Sequence, residues 1–187
     1  MKKAIAFTTT AAVLILLAGV VSAGDKAPQK VVDLGRTTLV KIGTDPVIVK
    51  AVRAENAKGK TLAQIKDMDK KWMATPGVAD YMKALMTNEC GAHVKGIKKS
   101  APYYEEIFVM DNQGANVCMS DKTSDYWQGD EDKFTESYKG GAGAVHISDV
   151  KFDESSQAYI VQVSVPVKDN GNVIGAITFG INADKVK

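Results

Sequence analysis

Two short turn sequences constrain this chain more than any other feature in it. Asp111-Asn112-Gln113-Gly114 and Lys168-Asp169-Asn170-Gly171 each separate two runs of β-type residues. Asn and Gly tolerate the positive φ that a tight hairpin requires. Residues 107–110 are therefore predicted to run antiparallel to 116–119, and 157–167 antiparallel to 172–181, with a further strand over 144–148. Five antiparallel strands follow. In the strand from Gln157, Tyr159, Val161, Val163 and Val165 share one face, while Ile160, Gln162 and Ser164 share the other. The last strand alternates Val173, Ile177 and Phe179 with the smaller Ala176, Thr178 and Gly180. One face is bulky and apolar; the other is small and mixed, leaving room for a pocket roofed by the polar connection 120–143.

The first half of the chain has the opposite period. Val31, Val32, Leu34, Leu39, Val40 and Ile42 suggest a helix that Gly43 and Asp45-Pro46 interrupt. Thr44 or Asp45 can cap a second helix, with Pro46 where a missing N–H costs least, and with Val47, Ile48, Ala51 and Val52 on one face up to Gly59. Thr61-Leu62-Ala63-Gln64 reads as a capping box ahead of Leu62, Ile65, Met68 and Trp72. Thr75-Pro76 repeats the cap-then-proline signal before Val78, Tyr81, Met82, Leu85 and Met86, and Cys90, Gly91 and Gly96 mark a loop. Helices followed by strands define an α+β domain, with the N-terminal helices covering one face of the sheet.

Residues 1–23 stand apart from that domain. Lys2 and Lys3 precede the apolar run 11–17, and Val21-Ser22-Ala23 supplies small residues of the kind a signal peptidase reads. This is the pattern of a secretory signal, with an uncleaved anchor as the alternative. Cleavage after Ala23 removes two of the 24 Lys and Arg, leaving 22 basic residues against 22 acidic ones. A formally neutral exported domain has no broad attraction for nucleic acid or anionic lipid, so recognition must be local.

Motifs for catalysis and cofactors do not assemble. Gly59-Lys60-Thr61 imitates the end of a phosphate loop, but the first glycine of that motif would fall at Ala54 inside a helix. Gly141-Ala142-Gly143 has His146 in place of the third glycine of a dinucleotide fingerprint and leads into a strand. His93 and His146 lack ligand spacing, so no metal or other cofactor and no catalytic set is predicted. Cys90 and Cys118 are the only cysteines. In an exported protein they point to a disulfide, with two buried thiols as the alternative.

The second half resembles the Cache domains, the extracytoplasmic PAS-like sensor modules also called PDC domains. The resemblance rests on residues 107–114, on Ser124-Asp125-Tyr126-Trp127-Gln128-Gly129-Asp130-Glu131, on His146-Ile147-Ser148-Asp149 with Phe152-Asp153, and on the pieces 163–167 and 171–176. It covers most of 31–184. It implies a PAS-like five-stranded sheet and a small-molecule pocket in a single lobe. Amino-acid-binding members carry an Arg in the pocket segment and an Asp near the end of the last strand. Here 120–143 has no Arg and the last-strand position is Gly180, so the resemblance implies no generic amino-acid ligand. With the chain ending at Lys187 just beyond the last strand, it reads as a stand-alone, periplasmic or secreted single-Cache module.

Asp125-Tyr126-Trp127 sets a carboxylate beside two amphipathic rings, which can stack on or cage a cationic or planar ligand. Tyr138 and His146 can add hydrogen bonds. The alternative is that the rings pin the connection to the sheet and Asp125 caps a short helix near 130–138. Two functions compete. One is a non-enzymatic binding module that holds a small molecule and can present it to a membrane receptor; the other is a ligand-free module that dimerises or docks on a sensor partner. The first predicts a pocket enclosed by 120–149. The second predicts a filled pocket and an exposed apolar stripe on 31–58.

Overall fold

A computed structural model of the chain describes residues 22–153 and 157–186. The expected signal segment, apart from Ser22 and Ala23, lies outside the described residues. The hairpins form where the turn sequences put them. Strands β5 (Ala158–Asp169) and β6 (Asn172–Asn182) close through Asp169 opposite Asn172. The two turn residues, Asn170 and Gly171, take φ of 49° and 86°, the left-handed pair that suits the twist of a two-residue hairpin. Strands β1 (Tyr104–Met110) and β2 (Asn116–Met119) join across a turn in which Asp111 Oδ1 accepts the N–H groups of Gln113 and Ala115 at 2.8 and 2.9 Å. Gly114 has φ 86°, and a Cβ there would stand 2.5 Å from Gly129 Cα. The turn and the 120–143 connection thus meet at two glycines.

The strand order is β2-β1-β6-β5, with the last place shared by β3 (His146–Ile147) and β4 (Lys151–Asp153), both antiparallel to β5. The strand expected over 144–148 is shortened to His146–Ile147, and Lys151–Asp153 is a further strand, so the sheet has six strands where five were expected. Ser148 Oγ accepts the Gln162 N–H at 2.9 Å. Val150 turns its own N–H and C=O toward Asp25 and Gly24, each at 2.8 Å. The backbone leaves β5 there because the N-terminal segment supplies its partners.

On the bulky face, Ile107, Val109, Val161, Val163, Val165, Ile177 and Phe179 form one core with Val31, Leu39, Ile48 and Val52. Helix α1 (Gln29–Leu34) continues through a π-helical segment, Gly35–Leu39, into α2 (Val40–Ile42). This rod lies so close to the sheet that a Cβ on Gly43 would stand 2.2 Å from Pro166 O. Helix α3 (Pro46–Asn56) is capped by Asp45, which accepts from the N–H groups of Val47 and Ile48. The capping box of α4 (Leu62–Ala74) forms with both halves in place.

Three expectations need correction. The N-terminal helices do not all cover one face: Ile65 and Trp72 of α4 and Met82 of α5 (Asp80–Thr87) join Phe108, Met110 and Ala176 in a second core on the opposite side. The chain swings round the hairpin end, where Asn56 bonds Ile174 O at 2.8 Å and accepts the Asn112 N–H at 3.0 Å. Thr75-Pro76 starts no helix. Thr75 ends α4, its hydroxyl donating to Lys71 O at 2.6 Å, and α5 begins at Asp80. The loop expected at Cys90, Gly91 and Gly96 is instead α6 (Glu89–Lys99), capped by Asn88. Glycine's poor helix propensity gives way to packing: a Cβ on Gly91 would lie 2.4 Å from Leu85 O, so only glycine fits the α5–α6 corner. Cys90 is bonded to Cys118, with Cα atoms 5.8 Å apart, which ties α6 to β2.

Candidate functional site

The register of the sheet decides what faces the second side. Glu106 stands opposite Gly180, and Ser164 opposite Thr178. The two hydroxyls of Ser164 and Thr178 are buried and bond each other at 2.8 Å. Above Gly180 the space is taken by a neighbour, because a Cβ there would meet Glu106 Cγ at 2.5 Å. The small residue on β6 thus makes way for a carboxylic acid from β1.

That acid lies at the base of a cleft of about 130 Å³, lined by Glu106, Phe108, Lys122, Thr123, Ser124, Gln128, Lys133, Asp153 and Gln162. Lys133 and Gln162 also belong to an outer groove of about 490 Å³, which carries Asp130, Glu131, Asp132, Asp149, Lys151 and His146. Short helix α7 (Asp132–Tyr138) stands over β5 and β6 and forms part of the roof. The segment preceding it is held rigidly. The Trp72 indole donates to Thr123 O at 2.9 Å, and Asp69 Oδ1 accepts the N–H groups of Tyr126 and Trp127 at 2.8 and 3.0 Å.

Glu106 is half-buried, and burial pushes its carboxyl above the ordinary carboxylate range, with nearby Asp153 and Asp121 adding to the rise. The Gln162 amide, donating to Oε1 at 3.2 Å, and the more distant Lys133 work against it. Lys133 is committed elsewhere, 3.0 Å from Glu131 Oε2 and 3.1 Å from Gln128 Oε1. Among the described residues, Glu106 has no ion-pair partner. The two lysines of the lining, Lys122 and Lys133, are bonded elsewhere, and a largely desolvated acid with no cation bonded to it is costly to the fold and suited to a ligand that brings one.

Of the five residues singled out from the sequence, Tyr126, Trp127 and Tyr138 pack in or against the second core, and none of the five lines the cleft. His146 lines the outer groove, on the same side of the sheet as Ser164. Tyr138 stacks on Phe134 with ring centroids 5.1 Å apart. Tyr126 is buried, tilted against Trp72 at 5.8 Å, and its hydroxyl accepts from Lys60 at 3.2 Å. Trp127 donates its indole N–H to Gln113 O at 2.8 Å, and Lys66 lies 4.4 Å from its ring. Asp125 accepts from its neighbour Ser124 and caps no helix, since the residue before α7 is Glu131. Its carbonyl instead gathers donors from Asn116, Thr123 and Gln128. The cleft is lined by residues on either side of this tripeptide, 122–124 and 128. Glu106 is absent from the sequence reading, although a signal existed: an acid in line with Phe108 and Met110, on a strand whose alternate positions are apolar. Among the described residues, no three His, Cys, Asp or Glu side chains converge as a metal site.

A protein-family model described as methyl-accepting chemotaxis protein-like, first PDC sensor domain, matches residues 79–187. Among solved structures, the chain is similar to the sensor domain of the Vibrio cholerae histidine kinase DctB, at 13% identity and TM-score 0.46, covering 84% of this chain and 50% of that one. It is also similar to the ligand-binding domain of the Campylobacter jejuni chemoreceptor Tlp3. The complex with 4-methylisoleucine has 14% identity and TM-score 0.42, covering 82% and 64%; the isoleucine-bound form has 19% and 0.41, covering 85% and 65%. The chain therefore spans between half and just under two thirds of the length of these structures. No curated protein matches it.

Proposed function

The chain belongs to the methyl-accepting chemotaxis protein-like PDC sensor-domain family, and we propose that it is a non-enzymatic, extracytoplasmic sensor module that binds a small molecule bearing a primary ammonium group. Glu106, half-buried in the cleft and with no cation bonded to it, carries this reading. A ligand ammonium would replace water around the carboxylate and form a charge-assisted pair in a site of low dielectric constant. The outer groove is acidic, with Asp130, Glu131, Asp132 and Asp149 against Lys133 and Lys151, which favours the approach of a cation. Lys122, Gln128 and Gln162 offer donors to whatever acceptor the ligand carries. A cleft of about 130 Å³ holds the volume of roughly four waters, so only the head of a ligand is enclosed. In this reading, Asp125, Tyr126 and Trp127 shape the roof from behind, His146 guards the mouth, and residues 1–23 direct export.

The competing reading, a ligand-free docking module, requires an exposed apolar stripe on 31–58. Val31, Leu39, Ile48, Val49 and Val52 are buried against the sheet instead. The test is a thermal-shift screen with the twenty amino acids and short alkylamines, each beside its deaminated counterpart. Stabilisation by amine-bearing members alone supports the assignment. A panel in which no member stabilises, or in which the deaminated counterparts do equally well, overturns it.

A further inference from the structure

We propose a second binding site, for a small multivalent oxyanion, in the groove at the C-terminal end of α6. This groove has a volume of about 590 Å³ and is lined by Lys95, Lys98, Lys99, Tyr104, Ser120 and Asp121 among others. Spacings of three and four residues put the three lysines on one side of α6, and all three line the groove. Like charges so spaced repel one another, and an anion between them relieves that repulsion. Part of their charge answers the carbonyls of the last helical turn, where Lys98 and Lys99 stand.

The carboxylates nearby are already engaged. Asp121 Oδ2 lies 2.7 Å from Lys98 Nζ and accepts the Ser120 hydroxyl at 2.7 Å. Glu105 is held by Lys185 and Asn182 at 2.7 and 2.9 Å. Among the described residues, neither Lys95 nor Lys99 has an acidic partner. Tyr104 adds a phenol that burial and a hydrogen bond with Tyr103 keep protonated, so it brings no negative charge to the groove. The groove thus offers two uncommitted cations and a third shared with Asp121, while the hydroxyl protons of Ser100 and Ser120 go to Ile97 O and Asp121. That set suits phosphate or a polycarboxylate and does not suit the cation assigned to the first site. The two sites lie at opposite sides of one segment, since Ser120 and Asp121 line the groove and 122–124 line the cleft.

The test is calorimetric titration of the purified protein with inorganic phosphate and with citrate, at ionic strengths of about 20 and about 150 mM, where screening differs strongly. The expected result is saturable binding of both anions that weakens with salt. It should weaken by about tenfold or more in the double variant Lys95→Gln/Lys99→Gln, as loss of hydrogen bonds to charged groups implies. Asp121→Asn should tighten binding by releasing Lys98. The proposal is overturned by non-saturable heats, by equal affinity in the double variant, by weaker binding in Asp121→Asn, or by binding to vesicles of anionic lipid when neither free anion binds.

Discussion

Replacing Glu106 by Gln should stabilise the unliganded protein while disabling it as a receptor. The folded state holds the Glu106 proton more tightly than the unfolded chain, whose carboxyl titrates near the ordinary value of 4.5. Stability from this group is therefore fully present below that value and is lost as pH rises through the raised one. Once pH has risen past the raised value, the ionised group sits in the cleft with a single side-chain hydrogen bond, from Gln162. Incomplete solvation of a buried polar group costs about 1–3 kcal/mol. Glutamine keeps the acceptor for Gln162 and removes the charge, so a gain of about 1 kcal/mol is expected, or about 2–4 °C in Tm for a domain of this size. Differential scanning calorimetry of both proteins at about pH 8 and about pH 3.5 measures it, and the difference should vanish at the lower pH, where both side chains are neutral. Affinity for any amine that stabilises the wild type should fall by about 30-fold or more, since losing one member of a desolvated charge pair costs about 2–5 kcal/mol. A variant less stable than the wild type at pH 8, or one that binds as well, would refute the reasoning.

Thiol titration of the unreduced, denatured protein should find no free cysteine, and Cys118→Ser should lower stability by about 3–4 kcal/mol in urea unfolding, the chain-entropy value for a loop of this length; two reactive thiols would contradict the bond. Gly114→Ala should cost about 3 kcal/mol or more in the same assay, from a left-handed φ together with a Cβ 2.5 Å from Gly129 Cα. Trp127→Ala should lower the unliganded stability by about 2 kcal/mol through lost packing and leave amine affinity unchanged, whereas unaltered stability with lost binding would restore the aromatic-cage reading.

The parts of the fold legible in the sequence were those governed by local chemistry. Asn170-Gly171, Asp45-Pro46 and the Thr61–Gln64 box each act within four residues, and each formed as read. What escaped depends on distant partners. Gly91 reads as a breaker until the Leu85 carbonyl that excludes a side chain is known. The edge strand is split by a backbone segment more than a hundred residues away. The same holds for the site. Aromatic residues in a polar connection attract notice in a sequence, yet Tyr126 and Trp127 are held by Trp72, Asp69 and Gln113. Gly180 looked like a missing acid, and only strand register shows that Glu106 fills its place from the neighbouring strand.

The central claim, that the cleft at Glu106 binds an amine-bearing small molecule, is tested most directly by native mass spectrometry of the protein purified from its own host, wild type beside Glu106→Gln. The account predicts a non-covalent adduct on the wild type whose released component is a primary amine, and its absence from the variant. A wild type at the mass of the bare polypeptide, or an adduct that the variant retains, would contradict it.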